Sequence, residues 1–408
     1  MSRQAWGVCA LFGALSLIQS IAEPSTGLVA QPTLSLLRSW GNEAGDVTTF
    51  MALVTAPWWL KPLYGWLSDF VPLGGYRRKS YLSVATFATT VCFVWLYALP
   101  HSSETQNRLF VALFLAVLSL AVSDVVLDAL MIETGQSLRI TGRLQAVGGA
   151  AGSVAFLLTG RWGGHLSQSQ QHALGFWACA ALSAASLVLV IVYLRESPQA
   201  AAPPDRRQAG RMLVATLRAP GLWSVAAFFF AWHFNPLSPS VLYMHMKGPL
   251  GISEETIGDS LSLNAIGSLA AAAVYALVCR RVAIGWLVPG AVVCGAISTL
   301  VYWPMSAGCD LTWISLAAGF SYAIAMTILL DLAARACPLL AAGTVFALWM
   351  ALCNVSTALS TWVGGLCYEA WSDRWGSSTG FCVLLAFGAG CTLCSWLFAR
   401  RLPRDLLG

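Results

Sequence analysis

Charged side chains are scarce in this chain. Asp, Glu, Lys and Arg together make up 10% of its 408 residues, whereas hydrophobic residues make up 57%. In soluble globular proteins about a quarter of the residues are charged, so this composition excludes that class and is typical of a membrane protein. The sequence also shows no nucleophile–base pair and no cluster of metal ligands, so we expect a protein that is not an enzyme and holds no cofactor or metal.

Paired cysteines are lacking as well. The 12 cysteines lie singly in apolar stretches, which favours packing roles over disulfides. Cys391 and Cys394 form a lone Cys-x-x-Cys without further ligands, so it predicts no zinc or redox site. The first apolar run is too long for a cleavable signal peptide and has no small-residue cleavage site or transit extension, so we expect the mature protein to start at or near Met1.

Long apolar runs dominate the sequence. Each spans roughly 20 residues, which is about the length that crosses a bilayer as a helix. Their starts lie near Trp6, Val47, Ser80, Arg108, Leu144, Ala173, Leu222, Ile257, Ile284, Leu311, Thr344 and Gly380. We therefore predict an all-α integral membrane protein with twelve transmembrane helices.

The basic residues predict the orientation of these helices. With the N-terminus in the cytosol, 17 of the 23 Lys and Arg residues fall in cytosolic segments, as expected from the excess of positive charge on that side of membranes. An even number of spans then places both termini in the cytosol. We expect the protein in the plasma or inner membrane of the cell. This signal accounts for most of the net charge of +5, which therefore indicates no nucleic-acid partner.

One polar stretch divides the apolar runs. It lies between Arg195 and Arg218, contains three prolines and five arginines, and has the length and composition of a flexible connection. We predict a six-helix half over residues 1–196, a cytosolic linker over residues 197–217 and a second six-helix half over residues 218–408. The two halves would be parallel repeats about an axis along the membrane normal.

A tight polar hairpin joins the second and third predicted helices. Asp69 ends one helix at the water boundary, and Arg77, Arg78 and Lys79 begin the next. Positive charges within reach of one carboxylate can hold two helices together in one conformation and release them in another. We predict that these four residues form a gate.

Lys61 lies within the second predicted helix. An ammonium that faced lipid would be costly, so we expect it to face a cavity, to pair with an acid or to reach the inner surface. Asp124 and Asp128 share one face of the fourth helix, with Glu133 nearby. Adjacent carboxylates at low dielectric favour proton binding, so the first two are candidates for proton coupling. The alternative for these acids is to pair with Arg139, Arg143 or the Arg77 cluster, and it fits Glu133 best and Asp124 least.

A third candidate for proton coupling, Glu23, stands before Pro24 at a break in the first predicted helix. A carboxylate at such a break is costly unless it faces water or a partner. The alternative is a carboxyl group held protonated against the broken backbone. Asp331 and Arg335, four residues apart, are candidates for a gate in the second half, and here the alternative is that they neutralise each other.

The strings around these residues resemble one known family. Gly-x-x-Ser-Asp, a short loop and Gly-x-Arg-Arg-Lys resemble the loop between helices 2 and 3 of the major facilitator superfamily. With Lys61-Pro62, and with Asp-Val-Val-x-Asp-Ala-x-x-x-Glu at Asp124, the chain resembles the folate–biopterin transporters within it. Runs from Ile257 and Gly343 are similar to that family too. The resemblance implies a major facilitator fold that moves folates or pterins by alternating access together with protons.

The resemblance also suggests which residues bind the substrate. Folates are flat and anionic, so their site needs rings for stacking and a cation or amide for the carboxylates. The candidates for substrate binding are Trp58, Lys61, His233, Tyr243, Trp349 and Asn354. Two prolines break the seventh helix near His233, so the alternative for that residue is to cap the broken backbone.

The chain departs from the family pattern in two places. Residues 339–342 are apolar where the family often has a glycine and an acid, which puts a second-half gate in doubt. Glu23-Pro24 is more acidic than expected, which leaves room for a different substrate. Two alternative functions therefore stay open: a permease for another amphiphile, such as a muropeptide or a siderophore, and a membrane sensor that binds a small molecule without moving it.

Overall fold

The computed structural model of this chain is almost entirely helical. It describes residues 3–138, 140–194, 196, 220–278, 281–306, 308–336 and 342–403. No β-strand is present among these residues, in which the only strand-like pairing is an isolated bridge between Leu73 and Tyr76. The predicted linker over residues 197–217 lies outside the described residues.

The helices follow the apolar runs of the sequence. Before the linker they are α1 (Arg3–Ala22), α2 (Ala30–Ser39), α3 (Ala44–Val54), α4 (Lys61–Phe70), α5 (Lys79–Ala98), α6 (Gln106–Leu138), α7 (Thr141–Gln168) and α8 (His172–Tyr193). After the linker they are α9 (Pro220–His233), α10 (Pro239–Lys247), α11 (Glu254–Val278), α12 (Ile284–Leu300), α13 (Leu311–Ala336), α14 (Ala342–Trp375), α15 (Ser377–Cys394) and α16 (Trp396–Ala399). Each predicted helix start lies inside one of them.

Many of these helices suit a bilayer. Within the described part of the chain, eight are long and apolar enough to cross a membrane, and Gly221–His233 and Ile284–Leu300 are shorter apolar helices. Large side chains such as Trp286 and Trp313 leave 79% and 75% of their surface exposed, which suits contact with lipid or with its interface. The predicted all-α membrane fold is confirmed, while the number of twelve crossings stays a prediction.

Prolines explain where the helices break. Pro24 lies just beyond the end of α1, and Pro57 lies in the short 3-10 helix Ala56–Leu60 between α3 and α4. Pro236 and Pro239 lie between α9 and the first turn of α10. A proline has no backbone N–H and cannot continue the hydrogen-bond ladder of a helix. The predicted breaks in the first and seventh apolar runs are therefore present.

The described residues form two compact units. The first draws on Met1–Trp40 and Leu60–Arg206, and the second on Gly41–Trp59 and Arg207–Gly408. The segment Gly41–Trp59 precedes the linker but belongs to the second unit, because α3 packs along α14. The predicted division into halves at residues 196 and 218 stays a prediction.

A carboxylate cap fixes the start of α3 within the second unit. Glu369 of α14 accepts a hydrogen bond from the backbone N–H of Gly45 at 2.9 Å, a favourable place for an acid because of the helix dipole. Glu43 lies beside it, and its hydrogen bond to Glu369, together with the negative charge of that residue, raises the pKa of Glu43. Glu43 therefore binds a proton more readily than an isolated glutamate does.

Small residues let the helices of the first unit approach closely. A Cβ atom on Gly13 of α1 would lie 2.7 Å from Cγ1 of Val147 on α7, and one on Gly148 of α7 would lie 3.1 Å from Cε of Met131 on α6. Gly148 belongs to a Gly-x-x-x-Gly pair, for which the sequence predicts close packing. That prediction is confirmed for this glycine.

Two glycines lie at a close crossing of α11 and α13 in the second unit. A Cβ atom on Gly267 would overlap the carbonyl group of Leu316, and one on Gly319 would overlap the carbonyl group of Asn264. These neighbours are backbone atoms, so they cannot rotate away as the end of a side chain can. The two glycines therefore set the distance between the helices.

We expect Gly319→Ala to destabilise the second unit by about 1–3 kcal/mol, because the added methyl group overlaps backbone atoms. A thermal melt of the purified protein in detergent measures the effect. Gly290→Ala in α12 is the matched control, since a Cβ atom there meets nothing within 4 Å. Equal melting temperatures for the two variants would contradict the prediction.

Candidate functional site

An ion pair joins α4 and α6 in the first unit. Nζ of Lys61 lies 2.7 Å from Oδ2 of Asp124, and the two side chains are 18% and 28% exposed. Gln19 of α1 donates a hydrogen bond from Nε2 to the other carboxylate oxygen, Oδ1, at 2.9 Å. Both oxygens of Asp124 therefore accept hydrogen bonds from side chains, and three helices meet at this carboxylate.

The local sequence places the ammonium at this point. Lys61 is the first residue of α4, and Pro62 follows it in the first turn, where a proline fits a helix. An unpaired ammonium is costly in a membrane helix, so such residues pair with acids or face a cavity. Of the environments expected for Lys61, the structure shows the ion pair with an acid.

Two more carboxyl groups act on the same ammonium. Asp128 lies one turn beyond Asp124 on α6 and is exposed, and Glu23 follows the end of α1. The negative charges of all three acids attract the ammonium group of Lys61. Glu23 also accepts hydrogen bonds from Oγ of Ser25 at 2.7 Å and from its backbone N–H at 3.3 Å. The site thus places three carboxyl groups around one ammonium.

The predicted gate forms a cluster of charges in the same unit. Asp69 pairs with Arg78 and lies 3.6 Å from Nη2 of Arg77. Glu133 of α6 lies 3.5 Å from Arg77 and 3.1 Å from Arg78. Arg78 is 5% exposed and also donates to Oγ of Ser68 at 2.6 Å. The alternative reading of Glu133, a partner for the gate arginines, therefore agrees with the structure.

Glu196 is a candidate that the sequence patterns did not indicate. Its carboxylate accepts hydrogen bonds from the backbone N–H groups of Arg77 at 3.1 Å, Arg78 at 3.2 Å and Lys79 at 2.6 Å. These N–H groups lie at the start of α5. Backbone N–H groups there have no acceptor within the helix, and the helix dipole favours a negative charge beside them. The one available signal is an acid directly after an apolar run, and it does not reveal which helix the acid caps.

Lys79 lies elsewhere than the gate prediction places it. Its Nζ donates hydrogen bonds to the carbonyl oxygens of Ile191 at 2.9 Å and Leu194 at 2.8 Å, at the end of α8. A cation at a helix C-terminus is favourable, so this side chain fastens α5 to α8. No salt bridge of Lys79 with Asp69 is present in the described part of the chain, and a gating role for Lys79 stays a prediction.

The substrate-binding candidates near the break in the seventh apolar run contact other residues of the second unit. His233 contacts the carbonyl oxygen of Phe229, one turn back in α9, through Nδ1 at 2.9 Å, and its role in capping or in substrate binding stays a prediction. Tyr243 donates from its hydroxyl to Glu254 at 2.8 Å, and Lys247 lies 3.5 Å from the same carboxylate. Tyr243 is 3% exposed, so a substrate reaches its ring only if this cluster opens.

The remaining candidates also lie in the second unit. Trp349 has no exposed surface and packs against Phe229, with ring centroids 5.9 Å apart. Asn354 donates from Nδ2 to the carbonyl oxygen of Trp58 at 3.4 Å. The structure therefore brings Asn354 to Trp58 and places Trp349 in the hydrophobic core. Their roles in substrate binding stay predictions.

Of the second predicted gate, the structure describes the side chain of Asp331 only. Asp331 accepts a hydrogen bond at Oδ2 from the hydroxyl group of Tyr275 at 2.8 Å. The side chain of Arg335 lies outside the described residues, as do Leu339 and Leu340, where the chain departs from the family pattern. The predicted pair of Asp331 with Arg335 stays a prediction.

Comparison with known proteins supplies the broader context. A family model described as the BT1 family matches residues 33–405. A folate-biopterin transporter of Synechocystis is 30% identical over 341 residues, which cover 80% of this chain and 68% of that protein.

Solved structures support the fold. The nucleoside transporter NupG superimposes with a TM-score of 0.73 at 12% identity, over 96% of this chain and 98% of its own. The D-xylose-proton symporter gives 0.72 at 12% identity, over 97% and 98% of the two chains. At this identity the likeness speaks for the fold alone, and the predicted major facilitator fold is confirmed.

We expect Glu196→Ala to speed amide hydrogen exchange at residues 77–79, because three N–H groups lose their acceptor. Loss of one hydrogen bond to a charged group costs about 1.5 kcal/mol or more, so exchange should rise on the order of tenfold. Mass spectrometry of the corresponding peptide measures it. Glu104→Ala is the control, since Glu104 is exposed in the short helix before α6. Unchanged exchange in Glu196→Ala would show that the carboxylate does not cap α5.

Proposed function

The chain belongs to the BT1 family and is an integral membrane transporter; from this premise we propose that it carries folates or pterins by alternating access, driven by protons. The match to a folate-biopterin transporter over most of the chain supports the cargo class. The ion pair between Lys61 and Asp124 supports the coupling and is the observation that carries the proposal.

Coupling follows from competition for one ammonium. Lys61 is held by Asp124 at 2.7 Å, and an anionic cargo group needs the same ammonium. A proton on Asp124 removes the negative charge that holds Lys61, which then becomes free to bind a carboxylate of the cargo. When the cargo leaves, Lys61 returns to Asp124 and displaces the proton. Proton and cargo therefore favour each other's binding.

The neighbouring acids supply the route for the proton. Asp128 is exposed and lies one turn from Asp124, and Glu23 contributes to the same negative field around Lys61. Three acids near one ammonium keep an excess of negative charge, which attracts protons into the site. We assign Asp128 and Glu23 to proton delivery, and Asp124 to the exchange itself.

The gate assignment is part of the same proposal. Asp69, Arg77, Arg78 and Glu133 form a charge cluster that holds α4, α5 and α6 together in the conformation described here. Breaking such a cluster lets the helices separate in the opposite conformation. The halves over residues 1–196 and 218–408 would then alternate access, with both termini in the cytosol.

Uptake of labelled folate and of labelled biopterin into proteoliposomes, with and without an inward proton gradient, tests the proposal. Accumulation that requires the gradient supports both cargo and coupling. Accumulation without a gradient requirement would overturn the coupling, and binding without accumulation would favour a sensor. No response to either compound would overturn the cargo class and favour a permease for another amphiphile.

We expect Asp124→Asn to abolish accumulation driven by the proton gradient, because the amide cannot take up and release a proton. Exchange of external for internal cargo needs no net proton movement and should persist. Asp310→Asn is the control, since Asp310 is exposed in the loop before α13. Accumulation at the wild-type level in a well-expressed Asp124→Asn protein would exclude Asp124 as the coupling residue.

We expect Arg77→Ala to slow uptake more than it weakens equilibrium binding of the cargo, because a gate changes the rate of opening rather than the bound state. Uptake rates and binding isotherms on the same preparation measure the two effects. Arg401→Ala, at an exposed arginine near the C-terminus, should change neither. Equal losses of rate and affinity in Arg77→Ala would argue against gating.

A further inference from the structure

A small cavity lies beside the ion pair, inside the first unit. Its volume of about 20 Å³ is room for roughly one water molecule. Side chains from α1, α5, α6 and α8 enclose it. Its polar lining consists of Gln19, Thr86, Thr89, Ser123, Ser183 and Ser186.

Gln19 connects this cavity to Asp124. Its Nε2 donates to Oδ1 of Asp124 at 2.9 Å, which fixes the orientation of the amide. Its Oε1 is buried and has no hydrogen-bond partner in the described part of the protein. An unpaired buried carbonyl oxygen costs about 1–3 kcal/mol, so this arrangement of the amide leaves one end unsatisfied.

The two threonines of the cavity can pair with the N–H groups of the Gln19 amide but not with its oxygen. Thr86 donates its hydroxyl proton to the carbonyl oxygen of Leu82 at 2.7 Å, and Thr89 donates to that of Ala85 at 3.0 Å. Since each hydroxyl has only one proton to give, these two oxygens face their neighbours as acceptors. They can accept an N–H of Gln19 but cannot donate to its Oε1.

We propose that Gln19 is a positioning residue that turns its amide over when Asp124 takes up a proton. In the ionised state Nε2 donates to Oδ1 of Asp124, as described here. In the protonated state the acid hydrogen is donated to Oε1, and Nε2 turns to the lone pairs of Thr86 and Thr89. The proton is the only atom gained, it comes from the aqueous phase, and it leaves when the amide turns back.

The turned amide stabilises the protonated site. It gives partners to both ends of Gln19 and to the acid hydrogen, so the neutral form of Asp124 persists while Lys61 binds cargo. Lys61 of α4 pairs with Asp124 beside this amide, and the charges of Asp128 on α6 and Glu23 after α1 also act on Lys61. The residues that α5 and α8 contribute to the cavity lining carry no charge. This inference rests on the proposed proton coupling at Asp124.

Replacing the threonines of the cavity tests the turned state of the amide, and the pH dependence of uptake is the measurement. In the Thr86→Val, Thr89→Val double variant the turned amide loses its two threonine acceptors, so protonation of the site becomes harder. We expect half-maximal gradient-driven uptake to move to lower pH by about one unit, a tenfold loss of proton affinity. Thr90→Val is the matched control, because Thr90 donates to the carbonyl oxygen of Thr86 on the same helix and does not line the cavity. An unchanged profile in the double variant would overturn the proposal.

Difference infrared spectroscopy gives a readout that needs no transport. The carbonyl band of protonated Asp124 is the band that Asp124→Asn removes, and a hydrogen bond donated by the acid lowers its frequency. We expect the band to move to higher wavenumber in Gln19→Leu and to stay in place in Thr90→Val. A band that Gln19→Leu leaves unmoved overturns the role of Gln19 while proton coupling stands. Absence of any such band in the wild type, together with uptake that ignores the gradient, overturns the coupling itself and this inference with it.

Discussion

A lysine ammonium inside a membrane helix has to find an opposite charge, and the architecture of the first unit follows from that requirement. Lys61 stands at the start of α4 and is neutralised by Asp124 at 2.7 Å. Moving either charge into lipid alone would cost several kcal/mol, so α4 and α6 must remain in register for the pair to persist.

The need of Lys61 for an opposite charge also suits its pair with Asp124 to the proposed coupling. A buried pair holds firmly while both partners are charged and loses its hold when one is neutralised. The two neighbouring acids leave the site with excess negative charge. The charge cluster at Arg78 lies at the other end of α4, where Asp69 and Glu133 neutralise the arginine in the same way.

Sequence patterns predict the helices well and the side-chain contacts unevenly. Each of the twelve predicted starts lies close to the start of a helix, because hydropathy and length decide where a chain crosses lipid. The gate cluster around Asp69 and Arg78 is predictable because its members are near neighbours in sequence. Glu196 is not, since it caps a helix 117 residues away. The burial of Trp349 and the affiliation of α3 with α14 depend on packing in three dimensions, which periodicity along one chain does not encode.

The hydrogen bonds between Glu196 and the start of α5 limit where the chain can be divided. Glu196 lies between the end of α8 and the predicted linker, and its carboxylate contacts the backbone next to the predicted gate arginines. A split protein made from two co-expressed polypeptides keeps its gate intact only if the cut lies beyond residue 196. A fluorescent or affinity domain inserted just before this residue would pull the carboxylate away from α5, whereas an insertion a few residues later would leave it in place.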